Sequence, residues 1–484
     1  MLENIKNIHF VGIGGYGMSA LAKILIQKGL KVSGSDLKEN NFISTLRQKR
    51  ATIYTGEHKS SSAADCQMLI YSSAIKQNNP EILYAKERSI PIMHRGELLA
   101  HMVNEKYGII IAGAHGKTTT AGLSSMLLNE NGFSPTVLIG EEVDEFGGNA
   151  MLGESKYVIC ESDESDGSFL KLNPEVAIVT NIDKEHMDYY KDMNDVLLSY
   201  TKFIENIKQN GLLIGCIDCQ FLSSVLFSVQ KQPVITYGLS DAADIRAEDI
   251  HMDKVRACYN CIVGGKNIGK VNLLIPGMHN IVNSLAVVGL GLYLNIPFKD
   301  ISRSLLKYHG AKRRFQIKMD GGVMVVDDYA HHPNEIIATI KTAKLWSRRI
   351  VAVFQPHRYT RTYFLRDEFT NCFSEADLLI LTDIYPAGEK PINGVSGFSL
   401  YEAIRNTRKD IVYIEKENIL KNLLNVIKDG DIVLILGAGD ITDISDELVC
   451  VLQSNQLYSK TQECYVTTHL TTRTSEHQST GQQF

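Results

Sequence analysis

Short apolar runs alternate with longer stretches of helical periodicity along most of the chain. The first run covers residues 8–13 and leads through four glycines into a helical stretch at 18–28, which ends at Gly29. Further strand candidates lie at 30–33, 68–71 and 90–93. Because alternating strands and helices are typical of a parallel sheet covered by helices, the chain is predicted to begin with a Rossmann-like unit.

The same alternation restarts twice further along the chain. A strand candidate at 108–112 runs into a second glycine-rich loop and a helix, and later elements are predicted at 119–129, 157–160, 176–180, 262–275 and 280–294. A third series begins after the basic segment Lys312-Arg-Arg314, with strand candidates at 323–326, 350–354, 378–381 and 432–436.

These three series predict an α/β protein of three domains, which suits a length of 484 residues. The predicted domains are an N-terminal Rossmann-like domain at 1–107, a central α/β domain at 108–311 and a C-terminal α/β domain at 312–453. Residues 454–484 are rich in Ser, Thr and Gln and offer little apolar surface to bury, so we expect a disordered tail.

Composition and charge narrow the class of partner. The chain is 44% hydrophobic and 22% charged with a formal net charge of -5, so it has no basic excess that would favour nucleic acid. Its apolar runs fall short of the roughly 20 residues that cross a bilayer, and its start lacks the layout of a signal peptide. We therefore expect a cytoplasmic protein that binds neither nucleic acid nor membrane.

Two cysteine pairs resemble half-sites for zinc. Cys216 and Cys219 form one C-x-x-C pair, and Cys258 and Cys261 form the other. The gap between the pairs is about twice the usual 15–20 residues, so incidental thiols are favoured over a zinc site.

The loop Gly113-Ala-His-Gly-Lys117-Thr118 carries the clearest chemical signal. Its glycines let backbone amides approach phosphate oxygens, Lys117 can neutralise their charge, and the Thr118 hydroxyl can bind magnesium. The loop is two residues shorter between its glycines than the common P-loop pattern. Because a predicted strand precedes it and a predicted helix follows it, nucleotide-phosphate binding is favoured over a simple turn.

Acidic runs follow the next two predicted strands. The first extends from Glu161 to Asp166 and the second from Asp183 to Asp188, and either offers the carboxylate oxygens that magnesium prefers. The alternative is a pair of solvated loops with helix caps. His186 in the second run is a metal ligand, a general base or a structural histidine.

The first glycine turn, from Gly12 to Gly17, has two interpretations. With Asp36 about twenty residues further on, it approaches the fingerprint of a nicotinamide dinucleotide site. Any nucleotide diphosphate would satisfy the same backbone amides. Further along, Asn280 begins a helix, either as its N-cap or as a contact to a base. Clusters around Asp328 to His332 and His357 to Arg361 end adjacent strand candidates and favour an anion site.

Taken in order, the motifs GIGGYGMSALA, GAHGKTTT, ESDESDGSF, TNIDKEHMD, PGMHN, AKRRF, DDYAHHPNE and FQPHRYTRT resemble the Mur ligases. The resemblance covers nearly the whole chain except the tail. It is strongest to the members that join L-alanine to UDP-N-acetylmuramate. The resemblance implies three domains. The first binds a UDP substrate, the second is a P-loop-type ATPase α/β domain that binds ATP, and the third is a C-terminal Rossmann-like domain that closes over both.

The resemblance also implies roles for individual residues. The predicted ATP site comprises Gly113, Ala114, His115, Gly116, Lys117, Thr118, Thr119, Asn280, Arg314 and Asp328. The predicted UDP-substrate site comprises Gly12, Gly14, Gly15, Gly17, Ser35, Asp36, Ser72, Ser73 and Arg95. Metal binding falls to Thr118, Glu161 and His186, and the amino acid or carboxylate to Tyr329, His357, Arg358 and Arg361. The predicted catalytic residues are Lys117, His186, Glu161, His331 and Arg358.

The implied reaction uses ATP, with magnesium or manganese, to activate the lactyl carboxylate of UDP-N-acetylmuramate as an acyl phosphate that L-alanine attacks. The alternatives are a ligase for glycine or serine, and a dinucleotide-binding switch without ligase chemistry. Several Mur ligases carry a carbamylated lysine, and Lys202 lies in the corresponding helix with no role assigned to it. We expect a monomer or a homodimer.

Overall fold

The computed structural model describes residues 4–454. The chain forms two compact units, of which the first ends at Lys312 and the second begins at Arg313. The first unit contains two β-sheets and the second unit contains one. In this part of the chain no helix is both long and apolar enough to cross a membrane. The predicted disordered tail lies outside the described residues apart from Ser454, which is still helical.

The first sheet has five parallel strands in the order β3-β2-β1-β4-β5. Its elements are β1 (Asn7–Val11), α1 (Tyr16–Gln27), β2 (Lys31–Asp36), α2 (Asn41–Gln48), β3 (Thr52–Thr55), β4 (Met68–Tyr71), α3 (Pro80–Glu87), β5 (Ile92–His94) and α4 (Arg95–Asn104). The strand order reverses direction between β1 and β4, and ligands of such sheets bind at the carboxyl ends of the strands beside that reversal.

The second sheet has ten strands in the order β15-β14-β13-β12-β11-β10-β6-β9-β7-β8. Its elements are β6 (Tyr107–Ala112), α5 (Lys117–Glu130), β7 (Thr136–Val143), β8 (Gly148–Met151), β9 (Tyr157–Glu161), β10 (Val176–Val179), α6 (Met193–Glu205), β11 (Leu212–Cys216), α7 (Gln220–Leu226), β12 (Val234–Gly238), β13 (Ile245–Met252), β14 (Ala257–Val263), β15 (Lys266–Leu273), α8 (Met278–Tyr293) and α9 (Phe298–Leu305). The buried strand β6 lies parallel between β9 and β10, so its carboxyl end sits in the middle of the sheet.

The two sheets of the first unit share one hydrophobic core. Helix α1 of the first sheet packs against β7 and β8 of the second. Two polar contacts add to this packing: the Asn149 amide donates to the Tyr16 carbonyl at 3.0 Å, and Lys23 Nζ donates to the Gly147 carbonyl at 2.9 Å. The two glycine-rich loops are therefore held in one packed body.

The sheet of the second unit has six strands in the order β16-β17-β21-β18-β19-β20. Only β16, at one edge, runs antiparallel to its neighbour among these described strands. The elements are β16 (Gln316–Met319), β17 (Met324–Asp328), α10 (Pro333–Ala343), β18 (Ile350–Phe354), α11 (Tyr359–Phe364), α12 (Arg366–Phe369), β19 (Leu378–Leu381), α13 (Gly397–Arg405), β20 (Ile411–Tyr413), α14 (Ile419–Val426) and β21 (Ile432–Leu436), followed by helical residues 442–454.

Alternate residues of this third sheet pack into separate cores on its two faces. Met324 and Val326 belong to one core and Val325 to the other, as the two-residue period of a strand requires. Burial on both faces explains why these strands are near-continuous apolar runs in the sequence. The predicted α/β class with mostly parallel sheets is confirmed.

Candidate active site

The second glycine-rich loop connects β6 to α5 in the middle of the ten-stranded sheet. Gly116 caps the helix with a φ of 80°, in the left-handed region that favours glycine. A Cβ at this position would lie 2.5 Å from the Asn283 side chain, so the close approach also requires glycine. The turn leaves the amino end of α5 facing the loop, and helix amino ends attract phosphate.

Lys117 lies at the first position of α5 and is held by a buried carboxylate. Its Nζ contacts Glu164 Oε1 at 3.0 Å and Oε2 at 3.1 Å, and it donates to the Gly113 carbonyl at 2.5 Å. Burial alone would lower the pKa of Lys117, but the carboxylates of Glu164, Glu161 and Asp163 together raise it. The ammonium therefore keeps its charge at neutral pH, as phosphate binding requires.

Thr118 and Glu161 form a pair of oxygen ligands beside this lysine. The Thr118 hydroxyl lies 3.1 Å from each oxygen of Glu161, and the Gly140 amide donates to Glu161 Oε2 at 2.9 Å. Glu161 is the last residue of β9, next to the strand that carries the loop. Magnesium prefers such hard oxygen ligands and usually takes one or two protein carboxylates, so this pair fits the ion.

His186 lies on the other side of Glu164, with Nε2 at 3.9 Å from Glu164 Oε1. Its backbone φ of 55° is left-handed, which is uncommon for a residue with a side chain. Its Nδ1 is buried without a hydrogen-bond partner among the described residues. A structural histidine normally has its buried nitrogens paired, so this geometry favours the metal-ligand or general-base interpretation.

The loop is anchored by residues that follow β10 and that the sequence did not single out. The His115 amide donates to Asn181 Oδ1 at 2.8 Å, and the His115 carbonyl accepts from the Asn181 amide at 2.9 Å and from Thr180 Oγ1 at 2.6 Å. The Ala114 amide also donates to the Asn181 carbonyl at 3.3 Å. Thr180 and Asn181 begin the motif TNIDKEHMD, in which only the segment from Asp183 to Asp188 was predicted to be functional.

The first glycine turn is closed by Asp36 itself. The Gly14 amide donates to Asp36 Oδ2 at 2.8 Å, and Asn40 Nδ2 donates to the Gly14 carbonyl at 3.0 Å. A carboxylate engaged in this way favours a structural role over the ribose contact of a nicotinamide site. The Ser35 side chain points into the interior and donates to Glu81 Oε2 at 2.9 Å, whereas its carbonyl accepts from the Gly12 amide.

Arg95 joins the first sheet to the acidic loop after β9. One guanidinium nitrogen donates to Asp163 at 2.8 Å and to Asp166 at 2.9 Å, and Nε donates to Ser73 Oγ at 3.1 Å. Burial alone would raise the pKa of Asp163, but Arg95 and His186 hold it below its usual range. Ser72 uses its hydroxyl to accept from the Ala74 amide at 3.2 Å.

A cavity of about 230 Å³ brings the two glycine-rich loops together. Gly17 and Arg95 line it on the side of the first sheet, and Lys117, Glu161 and Asp163 line it on the side of the second. Gly17 and Arg95 of the predicted UDP-substrate site and Lys117 of the predicted ATP site therefore face the same space. This arrangement suits the transfer of a group from one bound molecule to another.

Asn280 and Thr119 lie nearby in buried positions. Gly277 caps α8, so the interpretation of Asn280 as an N-cap is wrong, and its amide instead donates to the Pro276 carbonyl at 2.7 Å. Thr119 is buried within α5. Lys202 is exposed on α6, on the same face as the exposed Leu198, and so points to solvent.

In the second unit, Asp328 supports a turn from inside. Its carboxylate accepts from the Phe315 amide at 2.8 Å and from the Ala330 amide at 2.7 Å. Burial raises the pKa of Asp328 to about 6, against the opposing effect of Arg314. Arg314 lies 5.2 Å above the Tyr329 ring and 4.0 Å from Glu335 Oε1.

Four of the predicted third-series residues meet at the carboxyl ends of β17 and β18. The rings of His331 and His357 are 5.6 Å apart, Tyr329 lies 5.2 Å from His331, and Arg361 contacts His357 Nδ1 at 3.0 Å. Tyr385 stacks on His357 at 5.6 Å and was not predicted. Together they form a basic and aromatic cluster.

Arg358 adjoins this cluster, because its backbone amide donates to the Tyr385 carbonyl at 2.8 Å. It precedes α11 with a left-handed φ of 71°, and its NH1 lies 3.9 Å from Glu389. The turn from Gly437 to Asp440 after β21 also escaped prediction, although its glycines were a visible signal. Gln355 connects to this turn by donating to Asp440 Oδ1 at 2.9 Å.

The four cysteines of the two C-x-x-C pairs are free thiols in ordinary structural positions. Cys216 and Cys261 are buried in strands, and burial raises the pKa of each thiol to about 12. Cys219 lies 3.4 Å from the backbone of Ile182, and Cys258 is half-buried in β14. The thiols of Cys216 and Cys261 therefore stay protonated at neutral pH.

Family models match the chain in three consecutive segments. The model described as Mur ligase family, catalytic domain, matches residues 7–107, the Mur ligase middle domain matches 111–291, and the Mur ligase, glutamate ligase domain, matches 313–439. These segments cover all three sheets and both units. The predicted boundaries at 107/108 and 311/312 stay predictions.

Curated relatives and solved structures agree with these matches. UDP-N-acetylmuramate–L-alanine ligase of Geotalea uraniireducens is 44% identical over 93% of this chain and 98% of the relative, and that of Dictyoglomus turgidum is 42% identical over 92% and 97%. The crystal structure of UDP-N-acetylmuramate–alanine ligase from Thermotoga maritima superposes with a TM-score of 0.80 at 28% identity, covering 93% of this chain and 99% of that one. Since the site geometry, the three model matches and these relatives point the same way, the chain belongs to the Mur ligase family.

Proposed function

We propose that this chain is an ATP-dependent ligase that joins L-alanine to the lactyl carboxylate of UDP-N-acetylmuramate in peptidoglycan precursor synthesis. The shared cavity carries this proposal, because it places the phosphate loop of Lys117 opposite Arg95 and the first glycine turn. The curated relatives, which cover nearly the whole chain, bear the name of this activity. The cytoplasmic location and a monomeric or homodimeric state stay predictions.

The UDP substrate would lie on the first sheet. The amino end of α1 follows the Gly12–Gly17 turn and suits the diphosphate, and Arg95 supplies a positive charge beside Gly17. From there the muramyl end of the substrate would extend into the cavity toward Lys117. Its carboxylate is the group that must reach the γ-phosphate of ATP.

ATP would lie along the second glycine-rich loop, with Lys117 beside its terminal phosphates. A carboxylate and a triphosphate repel each other, so the site must neutralise charge before they can react. Thr118 and Glu161 would hold a magnesium ion, which offsets phosphate charge when bound. The substrate carboxylate then attacks the γ-phosphorus, ADP leaves, and an acyl phosphate remains.

The second step forms the amide bond. The neutral amine of L-alanine attacks the acyl carbon, the carbon–oxygen bond to phosphate breaks, and the proton lost by the amine leaves with phosphate. We assign the carboxylate of the amino acid to the cluster of Tyr329, His331, His357 and Arg361, whose positive and aromatic character suits a small anion. Acyl phosphates hydrolyse readily, so this second step must proceed with water excluded.

The test is substrate-dependent phosphate release by the purified full chain. Release should require UDP-N-acetylmuramate, ATP, magnesium and L-alanine together, and mass spectrometry should show the UDP-linked alanyl product. Steady-state ADP formation that continues unchanged without the amino acid would contradict the proposal. So would tight NAD binding with no affinity for the UDP substrate, which would favour a dinucleotide-binding switch.

The same assay compares L-alanine with glycine and serine. A small pocket discriminates one methyl group by only about 1–3 kcal/mol, so kcat/KM for glycine should be lower by roughly one to two orders of magnitude. A higher kcat/KM for glycine or serine would reassign the amino acid while leaving the ligase chemistry in place.

A further inference from the structure

The ammonium of Lys117 is saturated by protein acceptors. It faces four of them, the carbonyls of Gly113 and Ala114 at 2.5 and 3.2 Å and the two oxygens of Glu164 at 3.0 and 3.1 Å. An ammonium group has three protons to donate. A nucleotide phosphate can therefore bind Lys117 only by displacing a partner that is already in place.

Glu164 is poorly placed to find another partner. It is 3% exposed, and its backbone carbonyl accepts from the Tyr190 hydroxyl at 2.7 Å, which anchors this part of the loop. The neighbouring carboxylates of Asp163 and Glu161 add negative charge. His186 lies 3.9 Å away and carries a positive charge only when it is protonated.

Removing one partner from a buried ion pair is costly, because the remaining charge stays desolvated. Phosphates that displace Glu164 from Lys117 leave its carboxylate in this condition. On the basis of the proposed ATP-dependent function, we propose that Glu164 competes with the nucleotide phosphates for Lys117 and makes nucleotide affinity depend on a divalent cation.

When Lys117 turns from Glu164 to the phosphates, Glu164 loses a nearby positive charge. A bound cation would replace that charge and so relieve the competition. Thr118 and Glu161 stand next to Lys117 and offer oxygen ligands, so the ion would enter with the nucleotide. Free ATP without a metal would bind weakly, because Glu164 would keep its hold on Lys117. The pair therefore discriminates the metal complex of the nucleotide from the free nucleotide.

The experiment measures the affinity of a β,γ-imido ATP analogue for the full chain by calorimetry, with EDTA and then with magnesium. The substitution Glu164→Gln keeps the shape of the side chain but removes its charge, so it should tighten metal-free binding by at least about tenfold. Affinity in the presence of magnesium should stay near that of the wild type, so the enhancement of affinity by magnesium should shrink by the same factor.

Glu161→Gln is the matched control. It also removes one carboxylate from the site, but Glu161 accepts from the Thr118 hydroxyl and the Gly140 amide, so metal-free affinity should change by less than about threefold. The double variant Lys117→Met, Glu164→Gln should not show the tighter metal-free binding of Glu164→Gln, since it has no ammonium that could bind the phosphates. Circular dichroism and thermal melting check that each variant is folded.

If Glu164→Gln does not fold, Glu164→Asp replaces it, because the shorter carboxylate should also loosen the pair and tighten metal-free binding to a smaller extent. Unchanged or weaker metal-free binding in the folded variant would overturn the inference. An equal gain in Glu161→Gln would overturn it too, since the effect would then be one of general charge. Failure of the wild type to bind the analogue with magnesium would instead refute the proposed use of ATP.

Discussion

The two glycine-rich turns of the first unit have the same local design but different chemistry. Each follows a buried parallel strand and leads into a helix, β1 into α1 and β6 into α5. The first turn uses its own amides for closure: those of Gly12 and Ile13 donate to the Ser35 carbonyl, and that of Gly14 donates to Asp36.

The second turn carries its own cation and its own hydroxyl. Lys117 and Thr118 begin α5, and the carboxylates of Glu164 and Glu161 hold them in place. The first turn has instead a neutral sequence and obtains its charge from Arg95, 78 residues beyond Gly17 in the chain. A glycine pattern thus indicates a nucleotide, whereas the identity of the nucleotide depends on the side chains brought to it.

The largest difference between the turns should appear on removal of the lysine. We expect Lys117→Ala to lower kcat/KM by about 10³-fold or more, because it removes charge stabilisation at the transferring phosphate. Steady-state phosphate release measures this effect, with circular dichroism as the folding check. Lys171→Ala removes an exposed, ion-paired lysine of the same unit and should change kcat/KM by less than twofold. Turnover of Lys117→Ala within tenfold of wild type would remove the lysine from the transition state.

Arg95→Ala tests the positive charge that Arg95 provides to the first turn. We expect KM for the UDP substrate to rise by about 10- to 100-fold, because one charge-assisted contact to phosphate is lost. KM for ATP should stay within about threefold. Arg95→Lys should recover little, since an ammonium lacks the planar guanidinium, in which Nε reaches Ser73 while another nitrogen reaches Asp163 and Asp166. Equal rises in both KM values would show a general structural role instead.

Gly14→Ala and Gly15→Ala test how tightly the first turn is packed, by their effect on the free energy of unfolding. A Cβ on Gly14 would lie 2.8 Å from Asn40 Nδ2 and 2.9 Å from Asp36 Oδ2, so the turn must shift, at a cost of about 1–3 kcal/mol in the free energy of unfolding. A Cβ on Gly15 would meet its nearest atom at 3.7 Å, so the cost there should stay below about 1 kcal/mol. Urea unfolding measures both, and equal losses would mean that the contact to Asp36 does not constrain the turn.

Buried parallel strands were the easiest elements to predict. The apolar runs at 68–71, 350–354, 378–381 and 432–436 coincide with β4, β18, β19 and β21, because strands covered on both faces need apolar residues throughout. The β7–β8 hairpin escaped prediction. Gly140 and Glu141 interrupt its apolar pattern, and the close contact of the Gly140 amide with Glu161 becomes visible only in the folded sheet.

The partners of the site residues were much harder to predict than their positions. Lys117 and Glu164 are 47 residues apart, and Arg95 and Asp163 are 68 apart. The strand pattern placed two acidic runs near the phosphate loop, because parallel strands end at one edge of the sheet, and the family resemblance singled out Glu161. The sequence had no means to tell which carboxylate of the run from Glu161 to Asp166 would turn toward which cation.

The sequence by itself determined the α/β class, the order of the strands and helices along the chain, and the chemical residue types that follow the strands. These features depend on local periodicity and on backbone conformations that only glycine adopts easily. Tertiary structure alone decided that two loops face one cavity, that Asp36 closes the first turn, and that Glu164 forms an ion pair with Lys117. Such pairings arise when distant segments pack together, because the direction of a side chain at a loop is set by its neighbours in space and not by its neighbours in the chain.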